Sequence, residues 1–151
     1  MLLRACILSI VFFAMALSLT AGQNEVSSEA QVVPTHADAA FIIAKYSGLF
    51  DRYVSPDASL NECVAFLNDH GVYFGLMEVV SGQEFTLSDC ARVMGQIRLV
   101  FSGDAEYLGG KVKLPKDVDS WETFCIMNEI RFLEAYEAVR NAVRKPGEIR
   151  P

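Results

Sequence analysis

The sequence predicts a mainly α-helical fold, a compact bundle of about five helices with one small β-hairpin at residues 105–114. Three observations carry this. Apolar residues recur at helical spacing through most of the chain, several such stretches open with Ser or Thr followed three residues later by Asp or Glu, and a Gly109-Gly110 pair sits between two short alternating runs.

The chain begins with Arg4 and a charge-free apolar run, Ala5 to Leu19, before polar Thr20, Gln23 and Asn24. A spanning helix needs about 20 apolar residues, and this run ends short of that, so residues 1–22 read as a cleavable signal peptide with the cut after Gly22. The alternative is an uncleaved N-terminal anchor. Export makes the expected location secreted or periplasmic. Gln23 to Pro34 offers only Val26, Val32 and Val33 as sizeable apolar groups, so 23–34 reads as a flexible leader. Residues 35–145 then form a single helical domain, and 146–151 a disordered tail.

Thr35 and Asp38 have capping-box spacing and open the first helix. Ile42, Tyr46, Leu49 and Tyr53 form its expected apolar stripe, with Ser55-Pro56-Asp57 ending it. Ser59 and Glu62 open a second helix whose stripe is Leu60, Cys63, Val64 and Leu67, stopping at His70-Gly71. Val72 to Val80 is expected to be helical through Tyr73, Leu76, Met77 and Val80, with Gly82 just past its end. Thr86 and Asp89 cap a fourth helix, with Phe85 stapled to Cys90 and Met94, Ile97 and Phe101 continuing the stripe, before Ser102-Gly103.

The Gly109-Gly110 turn sets the hairpin register: Glu106 faces Lys113 on one side and Tyr107 faces Val112 on the other. Asp119 and Glu122 are expected to cap a last helix, 120–144, whose stripe runs Trp121, Phe124, Cys125, Asn128, Phe132, Tyr136 and Val139. At 1.5 Å per residue that helix is roughly 37 Å long, longer than a domain of this size is wide. It therefore kinks near Asn128 or projects.

Removing Arg4 from the 13 basic residues leaves 12 against 19 acidic ones, a mature charge near −7. Residues 23–110 hold only Lys45, Arg52, Arg92 and Arg98 against 12 carboxylates, while 111–151 are nearly balanced. Such a surface repels phosphate backbones and anionic lipid, so no nucleic-acid partner is expected, and membrane contact is limited to the signal peptide before cleavage. The order of helices near 60–69, 72–81 and 87–101 followed by a hairpin resembles that of a winged helix, but no DNA-reading residue set accompanies it.

Cys63, Cys90 and Cys125 lie on apolar stripes, as three buried thiols or as one disulfide and a free thiol. Seven residues separate Cys63 from His70, about 10 Å of helix axis, too far for a dyad. No pattern of metal-ligand spacing occurs, so neither metal nor cofactor is expected and no catalytic residue is assigned. His36 is expected to be exposed in the first helical turn, and His70 to bond the carbonyls ending its helix. The preferred function is a noncatalytic binding or structural protein outside the cytoplasm, with a basic protein as partner and Asp51, Glu62 and Asp69 as contacts on the acidic front. Its rival is a small-ligand carrier or enzyme using an aromatic pocket near Trp121 and Asn128. A third class, an immunity-type inhibitor binding a basic toxin, shares the size, acidity and export signal.

Overall fold

Residues 31–145 are described in the structure, a computed structural model, and all of them but Gln31 belong to one structural unit. The expected signal peptide at 1–22, most of the expected leader at 23–34 and the expected tail at 146–151 lie outside the described residues. The described chain forms α1 (His36–Tyr46), α2 (Leu60–Asp69), α3 (Leu76–Val80), α4 (Leu87–Ser102), β1 (Tyr107–Leu108), β2 (Lys111–Val112), α5 (Trp121–Met127) and α6 (Phe132–Arg144). This is a mainly helical fold with a two-stranded antiparallel sheet. Among the described residues no helix is long and apolar enough to cross a membrane.

Helix starts follow the capping chemistry. Thr35, Ser59 and Thr86 each accept the N–H three residues on, while the side chains of Asp38, Glu62 and Asp89 return to the capping residue's own N–H. Helix ends are equally regular. After α2, α3 and α4, Gly71, Gly82 and Gly103 take positive φ, and paired backbone bonds reach back to the last turn, as from Val72 N–H to Leu67 O and from Asp104 N–H to Leu99 O. The hairpin has the expected register, Tyr107 opposite Val112, with Lys113 paired to Glu106 at 2.5 Å.

Several expectations are corrected. The first helix stops at Tyr46, where Ser47 Oγ donates to Ile43 O and Gly48 has φ 75°, so Leu49 and Tyr53 sit in an exposed turn region. The buried face of α1 is His36, Ala39, Ala40, Ile43 and Ala44. Small residues let this helix pack closely on α2, α3 and α6 at once, which a stripe of larger side chains would prevent. His36 is thus buried, not exposed. Only Leu76–Val80 of the third segment is helical, and Leu76, Met77 and Val80 face solvent while Val79 points inward.

The last helix is two helices. Ser120, not Asp119, caps α5 by accepting Thr123 N–H at 3.1 Å. The break follows Asn128: Ile130 N–H bonds Cys125 O at 2.8 Å, Glu129 N–H bonds Ile126 O, and Glu129 itself stands at φ 55°. Asn128 is exposed, its amide donating to Phe124 O, so it leaves the buried stripe.

The main core joins α1, α2 and α4 through fully buried Leu67, Phe74 and Phe85, each worth roughly 1.5–3 kcal/mol of apolar transfer. Two smaller clusters, Ala91–Cys125–Phe132 and Leu99–Val112–Phe124, hold α5 against α4 and the hairpin. The three cysteines are free and buried.

A candidate binding cleft around His36

Burial of His36 at the start of α1 leaves its ring with a bonding problem. Nδ1 lies 3.2 Å from Gln83 O, a carbonyl that can only accept, so the ring proton sits on Nδ1. Nε2 is buried and has no hydrogen-bond partner. Phe74 and Phe85 present ring edges to the imidazole at 6.3 and 5.5 Å between centroids. Its remaining neighbours are acidic: Asp89 Oδ1 stands 3.6 Å and Glu78 Oε2 3.8 Å from Nε2. Both distances exceed hydrogen-bond length. Asp89 Oδ1 also faces the Arg92 guanidinium, and Glu78 Oε2 also accepts a backbone N–H.

Each carboxylate is placed by its helix start. Asp89 sits three residues past the Thr86 cap and spends Oδ2 on Thr86 N–H and Oγ1–H at 2.9 and 2.7 Å, which leaves Oδ1 toward His36. Burial pushes Asp89 up, but Thr86, His36 and Arg92 together outweigh it and hold the carboxyl below its ordinary value, so it is ionised at neutral pH. Glu78 accepts Gly75 N–H at 3.1 Å, the equivalent bond at the start of α3.

These two carboxylates wall a cleft of about 400 Å³ that also touches Tyr73, Lys111 and Trp121. Gln96, buried on α4, ties its floor together: Oε1 accepts Tyr73 N–H at 3.1 Å and Nε2 donates to Val112 O at 2.9 Å. Arg92 donates to Tyr73 O at 2.6 Å and to Gln96 Oε1 at 3.3 Å, and stays 3.6 Å from Asp89 Oδ1. Lys111 Nζ lies 3.3 Å from the centre of the Tyr73 ring. Trp121 is seated against Gly95, where a Cβ would meet its ring at 2.5 Å.

Trp121 therefore lines the cleft, but Asn128 lies on a different cavity with Arg98, Asp104 and Phe124. Asp51, Glu62 and Asp69 are exposed and line none of the cavities described here. Glu62 is committed to its cap, and the Ser59 bonds hold its carboxyl below the usual range. The cavity richest in aromatic rings is elsewhere, a space of about 290 Å³ lined by Phe50, Tyr53, Phe66 and Phe101. At its edge His70 Nδ1 bonds Phe66 O at 2.8 Å, the helix-end role its position implied. A larger apolar groove of about 910 Å³ runs between α1 and α6. Chemistry rather than size singles out the cleft walled by Glu78 and Asp89: among the described residues, the buried side-chain polar atom without a hydrogen-bond partner, His36 Nε2, lies beside these two carboxylates.

Glu78 was expected among the outward carboxylates of the acidic front, whereas Tyr73, Asp89 and Gln96 were not singled out as binding residues by sequence reasoning, and His36 was expected to be exposed. The capping boxes at 75–78 and 86–89 were the available signal, since they fix where two carboxylates point. No protein-family model, curated protein or solved structure matches this chain.

Proposed function

We propose that this chain is a noncatalytic binding module that holds the cationic group of a basic partner in the cleft walled by Glu78 and Asp89, after export and loss of residues 1–22. The carrying observation is that Glu78 and Asp89 both line this cleft, in the part of the chain where carboxylates far outnumber basic residues. The surroundings favour the same kind of partner: Asp51, Asp57, Glu62, Asp69, Glu84 and Asp104 are exposed, and none is in a salt bridge among the described residues. Unneutralised surface carboxylates steer a basic protein by long-range attraction.

The same groups argue against covalent chemistry. A nucleophile–base pair needs a hydrogen bond, and His36 Nε2 makes none. Burial pushes the Cys90 thiol up to about 12 and the Cys125 thiol up to about 11, so neither supplies thiolate near neutrality. The test is a titration of the full chain with a short peptide carrying both lysine and arginine, followed by NMR. Shifts centred on His36, Glu78 and Asp89 that fade with added salt are expected. Binding that leaves those residues unmoved, or no binding at millimolar peptide, overturns the reading.

A further inference from the structure

We infer that the aromatic cavity between α2, α4 and the turn after α1 binds a small, neutral, planar molecule of about two fused rings that carries one hydroxyl or N–H. This goes beyond the binding reading above, and the cavity shares no lining residue with the cleft walled by Glu78 and Asp89.

Local spacing builds the walls. Phe66 and His70 lie four apart at the end of α2, as Ile97 and Phe101 do on α4, so each pair shares one face of its helix. The turn after α1, closed by Tyr53 N–H to Phe50 O at 2.8 Å, delivers the other two rings. Phe50 stacks on Phe101 with centroids 5.8 Å apart and planes inclined by 27°, and Tyr53 stacks on Phe66 at 6.5 Å and 19°. The inner pair, Phe50 and Phe66, meets edge to face at 5.3 Å. Each stack leaves its outer ring uncovered, with Tyr53 69% and Phe101 54% exposed. Ordered rings left in water make an apolar patch of the kind that marks a binding site.

Size, shape and polarity define the occupant. The space is about 290 Å³, and an apolar cavity of about 150 Å³ is enough for benzene, so two fused rings match it better than one. Ring faces in near-parallel pairs favour a flat ligand, because stacking contributes beyond the area it covers. No Asp, Glu, Lys or Arg lines the cavity, so a charged ligand would lose hydration without gaining a counter-charge. Two side chains that line it carry polar groups open to a ligand. His70 commits Nδ1 to Phe66 O and leaves Nε2, and the Tyr53 hydroxyl makes no hydrogen bond to another described residue. One hydroxyl or N–H on the ligand satisfies such a group.

The experiment titrates the full chain with 2-naphthol, its saturated decahydro analogue, the naphthoate anion and N-acetyl-tryptophan amide, reading affinity by calorimetry and position by NMR of the Val72 and Ile97 methyls, which line the cavity. Naphthol is expected to shift both residues and to bind with a Kd below about 1 mM. The saturated analogue, which lacks ring faces, and naphthoate, which has a charge to bury, are each expected to bind about tenfold more weakly. Tyr53→Ala and Phe101→Ala remove the two exposed rings, and each is expected to weaken naphthol binding about fivefold. The comparison among probes uses the unaltered chain and stands whether or not these variants fold. No binding at millimolar naphthol, or shifts confined to other residues, overturns the site. Equal binding of the saturated analogue overturns the selection of planar rings. Tighter binding of the tryptophan amide overturns the small molecule in favour of a partner's aromatic side chain.

Discussion

His36 shows how a single side chain departs from what its neighbours in sequence suggest. It stands at the first position of a capped helix, where a polar residue is ordinarily solvated, yet it lies on the face that α1 buries against its neighbouring helices. Placing it there required knowing that Ala39, Ala40 and Ala44, rather than the larger Ile42 and Tyr46, turn inward. Helical periodicity gives both faces a plausible stripe, and the choice is made by close packing between helices far apart in sequence. His36→Leu removes the ring's contact with Gln83 O and its attraction to Asp89 and Glu78, and is expected to lower the free energy of unfolding by about 1–2 kcal/mol, Gln83 O keeping its bond from the His36 backbone N–H. Urea denaturation measures this, and an unchanged or raised stability would show that these contacts contribute nothing.

The ends of elements were the most legible features, because caps and turns are local. Thr35/Asp38, Ser59/Glu62 and Thr86/Asp89 start helices as their spacing requires, and Gly109-Gly110 sets the hairpin register. The break in the long C-terminal stretch was legible only as a length argument. Its position follows from a closing motif that α5 shares with α2, α3 and α4, except that Glu129 occupies the left-handed position that glycine fills in the others. A non-glycine residue there costs about 1–2 kcal/mol in backbone strain. Glu129→Gly is therefore expected to stabilise the protein by about 1 kcal/mol in thermal or urea unfolding. No change, or a loss, would mean that the Glu129 side chain offsets the strain.

At the scale of the whole molecule, the buried thiols set an alkaline limit to stability. Burial, with Cys125 and Asp89 adding to it, pushes Cys90 from 9.0 up to about 12, and burial with the Glu122 charge pushes Cys125 up to about 11. The folded state thus holds protons that the unfolded chain releases. The stability these thiols confer is complete below about pH 9 and is lost as pH rises toward 11, at about 1.4 kcal/mol per pH unit for each thiol. Urea midpoints measured from pH 8 to 11 should fall steeply in the parent and about half as steeply in Cys125→Ala; parallel curves would contradict the assignment. The cleft is also a property of the whole molecule. It unites residues from α3, α4, the hairpin and α5 that are separated by as many as 48 positions, Tyr73 to Trp121, and no short-range pattern encodes that meeting. The central claim is that the Asp89 wall of the cleft meets a cationic group of the partner. A double-mutant cycle pairing Asp89→Asn with lysine→norleucine in the short lysine- and arginine-bearing peptide measures it directly. The account predicts a coupling energy of about 1 kcal/mol or more, diminishing with added salt, and a coupling indistinguishable from zero would contradict it.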